Sequence, residues 1–201
     1  MFKRYNRNEV IENKQKKLGK LDKEIDKMWQ SPWSDVDECV NVGRYASMQR
    51  NEINSLKKMN EAENNFNKNI NLNEYRNEDG SFNIYKTKRP LNNAFGEESY
   101  NKSSKMFHQG IAIGNDKKMF FSDYGVNDGN LNVRFWDSNQ PKDHWRDVEF
   151  FGKSNASNDQ VKDTFFGQNS EKWTNPNDYN LLFHNCQDYS NQIGNNLMKF
   201  K

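Results

Sequence analysis

The chain is short of the residues that mark several protein classes. It has 2 cysteines and 4 prolines in 201 residues. Two cysteines cannot build a disulfide scaffold, and so low a frequency fits a reducing compartment. No run approaches the ~20 apolar residues that a membrane helix needs, so no integral membrane segment is expected. The opening, MFKRYNRNEVIENKQKK, lacks the apolar stretch of a cleaved export signal. Neither sign of charge dominates: 30 Lys and Arg stand interspersed with 28 Asp and Glu, which calls for no nucleic-acid partner. Hydrophobic residues make up only 33%, too few for a dense core over the whole length. Aromatic residues reach 13%, which argues against disorder. A small aromatic core with a polar remainder is the expectation.

The first third reads as helix. In residues 9–29, Val10, Leu18, Leu21, Ile25 and Met28 recur at spacings of three, four or seven. Ser31-Pro32 stops that segment. Ser34 or Asp35 caps a second helix running to about Asn65, with Val36, Val40, Ile53, Leu56 and Met59 as its inward residues. Gly43 lies near its middle and suggests a break. Asp79-Gly80 signals a turn, and Ser81–Lys86 alternates as a short strand. From Lys105 strands dominate: Met106–Ile113 and Lys118–Tyr124 form a hairpin, followed by Leu131–Trp136 and Val148–Phe151. Helices are expected over Asp159–Phe166 and Asn185–Met198. Sequential strands with short loops and flanking helices predict an α+β fold with an antiparallel sheet.

The chemistry concentrates in Tyr179–Gln192, YNLLFHNCQDYSNQ. Asn185 is a good N-cap, which puts Cys186 in the first turn of a helix. There the helix dipole and unpaired N–H groups favour the thiolate, and the same groups can hold an oxyanion. A nucleophilic thiol needs a base. His108, in or beside a strand, is placed rigidly enough to serve. His184 enters on the segment before the cysteine, and His144 sits in a polar loop. The adjacent hairpin strand offers Ser122 or Asp123 to orient the His108 ring. Gln187 is a weaker candidate for an oxyanion contact, and Asn185 stands with it as a candidate for substrate binding.

The run from His108 through Gly114, the aromatic strand Phe120–Gly125, and Tyr179-Asn180-Leu181-Leu182 leading to Asn185-Cys186-Gln187-Asp188-Tyr189 resembles the circularly permuted papain-like cysteine hydrolases. That superfamily includes permuted NlpC-type amidases, PPPDE-type isopeptidases and the lecithin retinol acyltransferase group. The resemblance covers roughly residues 105–198. It implies a permuted papain-like fold and is silent on the N-terminal half; with a soft boundary read near Pro90, that domain is placed over 91–201, after a helical region, 1–90, of unknown role. It also implies a Cys186–His108 dyad with a polar third residue, and no cofactor. Acyltransferase members carry a second histidine on the hairpin strand, where this chain has Phe121, Ser122 and Asp123. Amide chemistry on a peptide, isopeptide or cell-wall bond is therefore expected before acyl transfer or lipid deacylation.

The plainer readings stand beside these. Cys186 as a buried structural thiol, and the whole domain as a non-catalytic interaction protein, are the alternatives to an enzyme. Cys39, next to Asp37 and Glu38, reads as structural, and a Cys39–Cys186 disulfide is expected only in an exported protein. His184 and Cys186 as zinc ligands lack a second pair at metal spacing, so no metal is expected. Trp136, Trp145 and Trp173 read as core aromatics or as the lining of a substrate groove. The polar helices read as solvated faces or as an arm for a protein partner. A small polar chain with such an arm is expected in the cytoplasm, or outside the cell as a bacterial effector or toxin delivered without a cleaved signal peptide.

Overall fold

A computed structural model describes residues 6–31, 35–90, 107–127, 130–137, 147–173 and 185–201. Two long helices come first, α1 (Arg7–Gln30) and α2 (Val36–Asn69). Asn6 caps α1 by accepting from the Glu9 N–H, and Asp35 caps α2 by accepting from Asp37. A 3₁₀ turn at Leu72–Tyr75 leads to β1 (Phe82–Pro90). Then come β2 (Phe107–Gly114), β3 (Met119–Asn127), β4 (Asn130–Asp137), β5 (Asp147–Ser154), α3 (Asn158–Phe166), a 3₁₀ segment at Gln168–Trp173, and α4 (Cys186–Leu197). The five strands form one antiparallel sheet ordered β4-β3-β2-β1-β5. The architecture is α+β.

Alternation along the strands separates two faces. On one, Ile84, Ile111, Ile113, Phe120 and Tyr124 are buried together with Phe66 of α2, Phe165 of α3, and Tyr189, Ile193 and Leu197 of α4. Phe66 is the hub, with its ring edge-on to Phe120, Phe135 and Phe166 at centroid distances of 5.4, 5.1 and 5.4 Å. Arg7, itself buried, ties the first helix to this core: it donates to Asn60 and Glu63 of α2 and to the Phe166 carbonyl of α3.

Three expectations change here. Val36 and Val40 are 64% and 39% exposed rather than inward. The buried seam of α2 runs at heptad spacing through Cys39, Ala46 and Ile53, and Val40 is rotated about 100° from it. Gly43 does not interrupt α2. The strand placed at Ser81–Lys86 continues to Pro90 and lies inside the sheet, between β2 and β5. The sheet that carries the candidate site thus begins at Phe82, before the boundary drawn at residue 91, and α2 contributes Met59 and Phe66 to its core.

Candidate functional site

The N-terminus of α4 is built by a reciprocal cap. Asn185 Oδ1 accepts from the N–H groups of Gln187 (2.8 Å) and Asp188 (3.4 Å), and the Asp188 carboxylate accepts from the Asn185 N–H at 3.1 Å. Cys186 is therefore the first helical residue. Asn185, weighed for substrate binding, is the cap itself. Gln187, weighed as an oxyanion contact, spends its backbone N–H on that cap. No hydrogen bond from the Cys186 N–H is found among the described residues.

The other end of α4 is fixed too. Ser154 Oγ of β5 donates to the Leu197 carbonyl at 2.6 Å, and the Asn155 N–H donates to Phe200 O at 2.6 Å. Between these ends, Tyr189 stacks on Tyr124 of β3, and Trp173 meets both rings edge-on, at 5.0 and 5.3 Å. Trp173 is thus a core residue beneath α4. Trp136 lies on β4, and Trp145 is outside the described residues.

His108 enters from β2 and Asp123 from β3. The register pairs Gly110 with Asp123, so His108, two residues before Gly110, shares their face of the sheet. The contact is a diagonal cross-strand pair: His108 Nε2 is 2.7 Å from Asp123 Oδ2. Ser122, one residue away, faces the opposite side and exchanges a hydrogen bond with the Tyr189 hydroxyl at 2.7 Å. Of the two residues offered as orienters, Asp123 meets the ring and Ser122 is spent in the core.

The Cys186 thiol is close enough to His108 to help raise its pKa. With Nε2 on Asp123, Nδ1 is the ring nitrogen left for the sulfur. The neighbouring Gln109 backbone N–H donates to Cys186 Sγ at 3.4 Å, and the Gln109 side-chain amide donates to Ser190 Oγ, one turn further along α4. The group is well enclosed: Cys186 is 5% exposed, His108 6% and Asp123 0%. Burial by itself lowers the His108 pKa. Hydrogen bonds and charge from Asp123 and Cys186 outweigh it and raise the pKa above the ordinary histidine value. Burial pushes the Tyr189 phenol far up, so it stays protonated.

Sequence reasoning missed two neighbours of this group. Gln109 joins strand to helix, and Arg89 of β1, opposite His108 in register, has Nη2 at 3.7 Å from the same Asp123 Oδ2. Both signals were available: Gln109 follows the histidine directly, and Arg89 ends a strand whose outer half is too polar to read as one. His144 and His184 lie outside the described residues. Cys39 and Cys186 are both free thiols. Among the described residues, no group of three or more His, Cys, Asp or Glu is arranged to hold a metal ion, and no helix is long and apolar enough to cross a membrane.

Comparison with protein-family models, curated proteins and solved structures returns no match.

Proposed function

We propose that the chain is a cysteine hydrolase with a permuted papain-like arrangement, cleaving an amide bond through a thioester on Cys186. The observation that carries this reading is that one imidazole, His108, has a buried carboxylate on one nitrogen, while the backbone N–H of the very next residue, Gln109, donates to the thiol at a helix N-terminus. The chain order, histidine strand before cysteine helix, is the permuted one.

In this reading His108 takes the Cys186 proton, giving a thiolate and an imidazolium stabilised by Asp123. Sulfur attacks the amide carbonyl carbon. A C–S bond forms, and the carbonyl electron pair moves to oxygen, where the Cys186 N–H can hold it. The tetrahedral species collapses with breakage of the C–N bond, and the leaving nitrogen takes the proton from His108. Neutral His108 then takes a proton from water as hydroxide adds to the thioester. Collapse releases a carboxylic acid and returns the thiolate. A carboxylate at the position that meets His108, rather than a second histidine, supports amide over lipid acyl chemistry.

The test is to expose the protein to peptide, isopeptide and acyl-ester substrates and to trap the adduct at acid pH. A substrate acyl group on Cys186, identified by mass spectrometry and absent in Cys186→Ala and His108→Ala, is the expected result. Turnover retained by purified Cys186→Ala ends the proposal.

A further inference from the structure

The carboxylate that meets His108 has a second cationic neighbour. His108 Nε2 and Arg89 Nη2 approach the same oxygen, Asp123 Oδ2, at 2.7 and 3.7 Å. The Arg89 side chain is 17% exposed, while that of Asp123 is fully buried. A buried carboxylate reverts to its neutral form unless cations hold its charge. His108 is a cation only while protonated, and in the hydrolytic cycle it becomes neutral each time it hands its proton to the leaving nitrogen. A guanidinium stays charged throughout.

We propose that Arg89 is a positioning residue that keeps Asp123 ionised while His108 is neutral. The inference rests on the hydrolase reading. An ionised Asp123 holds the hydrogen on His108 Nε2 and leaves the Nδ1 lone pair for the thiol proton. With a proton on Asp123 instead, Nε2 becomes the acceptor. The ring then carries its one hydrogen on Nδ1 and cannot take the thiol proton. Placement follows from the fold: Arg89 and His108 are cross-strand partners on β1 and β2, and Asp123 is one strand further on, opposite Gly110, which puts no side chain between them. The groups facing Asp123 are His108 from β2 and Arg89 from β1, with Arg134 of β4 directly opposite it in register. Tyr189 of α4 senses its charge from the other face and remains a neutral phenol. Arg50, on α2 and paired with Asp22, is the control for a general effect of positive charge.

The experiment is the pH–rate profile of Cys186 alkylation by iodoacetamide, with each variant checked for folding by its thermal melt. Arg89→Met is expected to move the midpoint upward by about one unit and to slow labelling several-fold near neutrality. Arg89→Lys is expected to recover most of the rate. In an Asp123→Asn background, where there is no carboxylate to hold, Arg89→Met is expected to add less than twofold. A profile unchanged in Arg89→Met, a fully additive effect with Asp123→Asn, or an equal shift in Arg50→Met overturns the proposal. Arg89→Gln carries the same test if the methionine variant does not fold. The two readings fail separately. An unchanged rate in His108→Ala sinks the hydrolase itself, whereas a slow His108→Ala beside a silent Arg89→Met sinks only the role of Arg89.

Discussion

The Gln109 backbone N–H donates to Cys186 Sγ at 3.4 Å, and the Gln109 side chain holds Ser190 four residues further along the same helix. Strand β2 thereby grips α4 at two points. Because His108 is the residue just before Gln109, this grip sets the register between imidazole and sulfur, a separation on which proton exchange depends steeply.

Gln109→Ala and Ser190→Ala should each destabilise the fold by about 1 kcal/mol, the worth of one buried hydrogen bond. Ser190→Ala also removes the donation of Ser190 Oγ to the Gln187 carbonyl at 3.0 Å, so the double variant should cost little more than Ser190→Ala alone. Urea melts of the four proteins check this, and full additivity contradicts it. Labelling of Cys186 should slow in both single variants although the backbone N–H of residue 109 remains.

Asp123→Asn keeps a hydrogen-bond partner and removes the charge. It should lower the His108 pKa and slow Cys186 alkylation about tenfold near neutrality, one pKa unit being a factor of ten. The stability effect has a defined sign. A histidine whose folded pKa is raised contributes stability that is fully present below its unfolded value, 6.5, and lost as pH rises through the folded value. The asparagine variant's deficit should therefore be largest in the acid range and shrink above pH 6.5. Urea melts across that range check it, and a deficit that grows with pH contradicts it.

Much of this architecture can be read from residue patterns. The ends of α1, α2 and α3 follow their caps and stop signals, and Asn185 places Cys186 at the start of α4. The choice between Ser122 and Asp123 cannot be made from the sequence. Adjacent residues face opposite sides of a sheet, and the register depends on how the Asn115–Lys118 turn closes, which its own side-chain bonds decide: Asn115 Oδ1 accepts from the N–H groups of Lys117 and Lys118. The outer half of β1, Thr87-Lys88-Arg89, carries no apolar alternation. Thr87 and Lys88 are held in the sheet by partners on both sides and Arg89 by β2, and β5 arrives some sixty residues later by the register of this sheet.

Thr87 Oγ1 is buried on that strand with no hydrogen-bond partner among the described residues. Thr87→Val replaces an unsatisfied hydroxyl with a methyl of similar volume and should stabilise the protein by about 1 kcal/mol. A loss of stability in thermal or urea melts contradicts this.

Three glycines should respond differently to alanine. A Cβ on Gly114 would lie 2.1 Å from the Lys118 carbonyl oxygen and 2.7 Å from Met119 Cα, backbone that cannot yield, so the cost should be about 3 kcal/mol or more. On Gly194 it would meet the Phe151 ring at 2.7 Å, a side chain that can shift, for about 1–3 kcal/mol. On Gly43, inside α2, it meets nothing within 4 Å, and helix propensity should give a gain of up to about 1 kcal/mol. Chemical melts rank the three, and any other order contradicts the packing described.

The central claim is that His108 activates Cys186, and the most direct test is the rate at which a neutral electrophile labels Cys186 near pH 7 in the wild-type protein and in folded His108→Ala. Peptide mass mapping separates Cys186 from Cys39. The account predicts labelling at Cys186 that falls at least tenfold, by the one-unit rule, when the imidazole is removed. Equal rates in the two proteins contradict it.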